Sequence, residues 1–125
     1  MKNKNILMSF LNAFNGIIIA VKSERNIKIH IVCACLVFIL SLHYKISRTE
    51  FAIIFLTISL VIVAEFINTA IEAVVDLVTS AYSQKARIAK DVAAGAVWIS
   101  AFFAVIVGFI IFFDRVKDEL IKLLF

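Results

Sequence analysis

From Val92 to Phe113 the chain runs 22 residues without a charged side chain. At 1.5 Å per residue, a helix of that length covers about 33 Å, enough to cross a hydrocarbon core of about 30 Å. A second apolar run starts at Phe51, and a third extends from Ile27 to Tyr44, interrupted by Lys28 and His30. Both are short of uncharged residues, so each is expected to keep one end among the headgroups. With 63% of its 125 residues hydrophobic and a mean hydropathy of +1.05, the chain carries more apolar surface than a soluble domain of this size could hide. It contains no proline, which suits long uninterrupted helices. The expectation is an all-α integral membrane protein, a single membrane-embedded domain over residues 1–125.

Residues 5 to 21 read as an amphipathic helix on the membrane surface. Ile6, Phe10, Ala13, Phe14, Ile17 and Val21 form an apolar stripe, with Asn5, Ser9, Asn12, Asn15 and Gly16 on the other side. One N-terminal surface helix and three transmembrane helices are therefore expected. The joints are Lys22 to His30, His43 to Glu50 and Thr79 to Lys90, and the tail from Asp114 to Phe125 reads as a short amphipathic helix. No small-residue cleavage site follows the first apolar stretch, so the N-terminus is expected to be kept. Cys33 and Cys35, two apart on a helix, point to nearly opposite sides and read as packing residues rather than a metal pair. With three spans, eight Lys and Arg fall on the side of the N-terminus and the Thr79 to Lys90 joint, and five on the other. The positive-inside bias puts the eight on the cytoplasmic side.

The second span does not end cleanly. It carries on through Glu65, Asn68, Glu72 and Asp76, spaced 3, 4 and 4 residues apart. At 100° per residue these four fall within about 80° of one another, a single polar stripe. Each carboxylate at membrane depth costs about 2.5–3.5 kcal/mol on insertion scales, so such a stripe persists where it binds a cation, exchanges protons or meets a charged substrate.

Glu65 lies deepest, Asp76 at the aqueous edge and Glu72 between them. Hard oxygen ligands suit Mg²⁺, which keeps several waters and is commonly held by one or two carboxylates together with substrate phosphates. Lys85, Arg87 and Lys90 on the same side offer charge to phosphate. A deeper carboxylate can take a proton from a hydroxyl held at headgroup level. This is the equipment for phosphoryl transfer from a soluble nucleotide to a lipid alcohol. No G-x-x-x-x-G-K-[ST] loop occurs, so a nucleotide would be held through metal and side chains. The same stripe also permits an ion-coupled carrier that loads and releases its ion on Glu65 and Glu72, or a structural polar seam between protomers. No nucleic-acid partner is expected.

The run Glu65-Phe66-Ile67-Asn68-Thr69-Ala70-Ile71-Glu72-Ala73-Val74-Val75-Asp76-Leu77, followed by Ala89-Lys90-Asp91-Val92-Ala93-Ala94-Gly95, resembles the signature of the prokaryotic diacylglycerol kinase family. Ser23-Glu24-Arg25-Asn26 is similar to the T-E-R-N stretch of its Gram-positive branch, whose members act as undecaprenol kinases. The resemblance implies a homotrimer with sites shared between protomers, and Mg²⁺-dependent transfer from ATP to undecaprenol, with diacylglycerol as the alternative acceptor. By the same resemblance Glu65 is the general base and Asn68 its neighbour in the substrate site. Glu24 and Glu72 hold Mg²⁺ with the ATP phosphates, and Asp76, Lys90 and Asp91 contact the nucleotide. The chain departs from the pattern at Tyr82-Ser83-Gln84, which lacks a His-Pro pair, and at Asn5 and Asn12. It departs also at Trp98, where an aliphatic residue is usual, near the implied lipid groove.

Overall fold

A computed structural model describes residues 6–125, and among them there are four helices and no strand. Helix α1 spans Ile6–Ser23, α2 Arg25–His43, α3 Arg48–Val78 and α4 Gln84–Leu124. Each is long and apolar enough to cross a membrane, α1 included. Asn5 lies outside the described residues. In the single chain the apolar stripe of α1 is largely exposed, from Ile6 to Ile17, and Ala20 is its buried residue.

The breaks between helices are shorter than the charged stretches suggest. Only Glu24 separates α1 from α2, and only Thr79 to Ser83 separate α3 from α4. Lys85, Arg87 and Lys90 therefore stand on the opening turns of α4. The reason is local: Lys, Arg and Ala are good helix formers, and Ser83 caps the new helix by accepting from the Ala86 amide at 3.4 Å. The tail from Asp114 is likewise no separate helix. It continues α4, which reaches 41 residues because neither proline nor glycine interrupts it at the membrane edge.

The turn between α2 and α3 is tightly specified. Ile46 N–H bonds to Ser41 O at 3.2 Å and Lys45 N–H to Leu42 O at 3.3 Å, the paired bonds of a Schellman cap. Lys45 takes the left-handed residue of that cap at φ 48°, where glycine is usual and a side chain costs about 1–2 kcal/mol. The next helix opens on a reciprocal capping box, Glu50 N–H to Ser47 Oγ at 3.2 Å and Ser47 N–H to Glu50 Oε2 at 2.8 Å. Ile46 turns inward onto a small core of Ile54, Ile111 and Phe112, with Val37, Tyr44, Ile58 and Val107 around it.

The α4 extension is held to this turn. Arg115 Nη2 lies 2.9 and 3.0 Å from the two Glu50 oxygens, Tyr44 donates its hydroxyl to Glu119 at 2.5 Å, and His43 Nε2 is 3.2 Å from the same carboxylate. Packing is otherwise dominated by α3 against α4. Large apolar side chains such as Leu56, Leu60, Phe103 and Phe109 stay half or more exposed, as expected of surfaces meant for lipid or for other copies. Cys33 and Cys35 are free thiols, exposed in the single chain rather than packed in its core.

Candidate functional site

The four members of the polar stripe meet different surroundings because α3 buries them to different degrees. Glu65, facing the helix pair, is only 2% exposed, and Asn68 is 7% exposed. Glu72 is half-buried and Asp76 exposed, so burial declines along the stripe from Glu65. Among the described residues the Glu65 carboxylate has no hydrogen-bond or ion-pair partner. Its own helix is secured nearby by Thr69, whose hydroxyl donates to the Glu65 carbonyl at 3.0 Å.

One turn further on, Asn68 Nδ2 donates to Glu72 Oε1 at 3.0 Å. The other edge of that amide, Oδ1, is buried with no partner among the described residues. Leaving such a group unpaired costs about 1–3 kcal/mol. Nearer the aqueous edge, Lys90 Nζ sits 2.5 Å from Asp76 Oδ1 across the α3–α4 pair. Arg87 Nε lies 3.5 Å from Asp91 Oδ2, one turn along α4. The two separated motifs of the sequence are thus brought into register by the short α3–α4 turn.

Glu24 is the N-cap of α2, with extended backbone at φ −94° and ψ 124°, and it makes no side-chain cap bond. Its half-buried carboxylate is left free for another ligand. No three His, Cys, Asp or Glu side chains gather into a metal cage among the described residues. Carboxylates such as Glu72, with the buried Asn68 amide oxygen beside it, and Glu24 are the hard oxygen donors that suit a hydrated Mg²⁺, which takes most of its ligands from water and phosphate.

Trp98 stands on the face of α4 away from Ala93, Val97 and Ser100, the residues that α4 buries there. It is exposed and stacks on Phe102 with ring centres 5.6 Å apart and planes 6° from parallel. In the single chain it therefore faces outward, not toward the side that buries Glu65.

One feature goes beyond the motifs. An apolar cavity of about 350 Å³ lies between α2, α3 and α4, bounded by Cys33 and Ala34, by Val61 and by Ala104 and Gly108. Val61, in the cavity wall, precedes Glu65 by one helical turn. Small residues make the room: a Cβ built at Gly108 would meet nothing within 4 Å. The signal was present in the spacing of Ala101, Ala104 and Gly108 along one face of α4, hidden inside a uniformly apolar run.

Comparison with known proteins places the sequence among relatives with stated activities. The chain is 41% identical over 107 residues to an undecaprenol kinase of Bacillus subtilis (strain 168), covering 86% of this chain and 87% of the relative. It is 42% identical over 105 residues to a diacylglycerol kinase of a Synechocystis species, covering 83% of this chain and 60% of that longer relative. The family model described as prokaryotic diacylglycerol kinase matches residues 11–112, a stretch holding every candidate site residue from Glu24 to Trp98, and the chain belongs to that family.

Proposed function

We propose that this lipid kinase transfers the γ-phosphate of ATP to the primary hydroxyl of undecaprenol, with Mg²⁺ as its metal. The observation that carries the reading is Glu65, a carboxylate 2% exposed, without a hydrogen-bond donor among the described residues and one helical turn from Val61 in the wall of an apolar cavity. That is the placement a base needs to meet a hydroxyl whose hydrocarbon chain stays in lipid.

In this reading Glu65 takes the hydroxyl proton as the acceptor oxygen bonds to the γ-phosphorus. The bond from that phosphorus to the bridging oxygen breaks, and ADP leaves. Mg²⁺, held by Glu24 and Glu72, supplies charge neutralisation on the phosphates. Lys90, tied to Asp76, lies where a cation can meet the nucleotide, with Asp91 beside it. Asn68 and Trp98 belong to the lipid side. Helix α1 lies on the membrane surface, α2, α3 and α4 cross it, and the site opens to the cytoplasm, where the greater number of Lys and Arg lies. The working unit is a homotrimer, which covers the apolar faces that a single chain leaves exposed and shares each site between protomers.

A diacylglycerol acceptor is the second reading, favoured by the 42% identity to a diacylglycerol kinase. The deciding assay offers undecaprenol and diacylglycerol in parallel, in mixed micelles, to purified protein with labelled ATP and Mg²⁺. Label passing preferentially to undecaprenol supports the first reading, and preference for diacylglycerol replaces it with the second. Full transfer in excess chelator removes the metal from the scheme.

A further inference from the structure

Asn68 is the one side chain of the polar stripe that must choose an orientation. A carboxylate oxygen accepts and does not donate, so the 3.0 Å contact with Glu72 Oε1 requires the amide to present Nδ2 there. The carbonyl edge, Oδ1, is thereby turned away from that contact. It is buried, in a residue 7% exposed, and has no donor among the described residues. A buried acceptor left open beside a substrate site is a place for a donor that arrives with the substrate.

We infer that Asn68 Oδ1 receives the hydrogen bond of the acceptor lipid's primary hydroxyl, while Nδ2 holds Glu72 on the metal side. The inference rests on the lipid-kinase reading and adds to it an orienting contact on one named atom. Phosphates bring no donor, and the hydrocarbon chain brings none either, so the hydroxyl is the lipid's means of filling this position. In the bound lipid the hydroxyl hydrogen rests on Oδ1. At transfer the O–H turns to Glu65, which takes the proton. Asn68 thus separates an alcohol from the hydrocarbon of the same shape, because only the alcohol relieves the orphaned oxygen. A metal-held water is the other O–H donor that could reach a buried amide, and the test distinguishes the two.

The experiment measures lipid binding to the full-length protein in detergent micelles, with nucleotide and metal absent. The probes are a short polyprenol and its deoxy hydrocarbon, and dioleoylglycerol and its 3-deoxy analogue. In the unmodified protein the alcohol should bind more tightly than its deoxy partner. Asn68→Ala, and Asn68→Leu of near-equal volume, should reduce that ratio about five- to tenfold, the worth of one hydrogen bond. Tyr44→Phe, at the α2–α3 turn away from the stripe, should leave the ratio unchanged. An undiminished ratio in both Asn68 variants overturns the inference. If the ratio holds while Mn²⁺–nucleotide binding, titrated separately on the same variants, falls, the amide serves the metal side only and the inference fails. Absence of any alcohol binding or phosphorylation in the unmodified protein instead defeats the lipid-kinase reading itself.

Discussion

Lys90 Nζ and Asp76 Oδ1 lie 2.5 Å apart, joining the second turn of α4 to the last turns of α3 across 14 residues of sequence. The pair is exposed enough that its contribution to stability is small, about 0–1 kcal/mol for ion pairs of this kind. In the proposed reaction its position beside the stripe would let Lys90 meet nucleotide phosphate.

Lys90→Ala should therefore separate function from stability. We expect the KM for Mg²⁺-ATP to rise tenfold or more while the thermal midpoint moves by no more than a few degrees. Steady-state kinetics and thermal unfolding in the same detergent check this. A large stability loss with unchanged KM would make the pair a structural clasp.

The carboxylates of α3 should divide the labour by depth. Glu65→Gln keeps the shape and removes the base, so turnover should fall by at least a hundredfold while nucleotide binding persists. Glu72→Gln should weaken Mg²⁺-ATP binding as well as turnover, since it removes a charge next to the metal. Titration of both variants with Mg²⁺-ATP is the check, and equal binding losses would refute separate roles.

The phenol of Tyr44 reports on the far end of the molecule. Its hydrogen bond to the Glu119 carboxylate raises its pKa above the ordinary 10.0, with burial and the negative charge of Glu119 adding to the shift. A raised folded-state pKa means the contact stabilises the fold below the ordinary phenol value and is lost as pH rises through the higher one. Tyr44→Phe should thus remove a stabilisation that is present at neutral pH and absent in strong alkali. Unfolding midpoints of the two proteins, compared at neutral and alkaline pH, should converge at the alkaline end. Activity should be unaffected, since Tyr44 sits near the α2–α3 turn, away from the stripe.

Much of this architecture was legible in the chain. The stripe from Glu65 to Asp76 could be placed because helical periodicity fixes which residues share a face, and burial then follows depth. Helix limits were less legible, because charge at Lys85-Ala-Arg87 and after Asp114 signals the membrane edge and not the end of a helix. The cavity beside Val61 depends on what α4 lacks, and a missing side chain at Gly108 carries no pattern amid apolar neighbours. The direction of the Asn68 amide is beyond spacing altogether, since it is decided by which neighbour accepts its hydrogen bond. For Trp98, sequence put it near the lipid, and the structure adds that it faces away from the surface α4 buries.

The division of one site between chains is the prediction with the most consequence for the assembly. Glu24 caps α2 with its carboxylate free, and Glu72 stands on α3 with one oxygen taken by Asn68. Glu65 is buried between helices of the same chain, yet the polar face it belongs to needs neighbours to keep it from lipid. If Glu24 of one protomer completes a site whose Glu65 and Glu72 come from the next, two dead proteins should rescue each other. Glu24→Ala and Glu65→Ala homo-oligomers should each be inactive. Co-assembled, some sites draw Glu24 from one kind of subunit and Glu65 from the other, and a measurable fraction of activity should return. Cross-linking before mixing should prevent subunit exchange and abolish that return. Sites built wholly within one chain would remain dead in every mixture, because each subunit would still lack one of the two carboxylates.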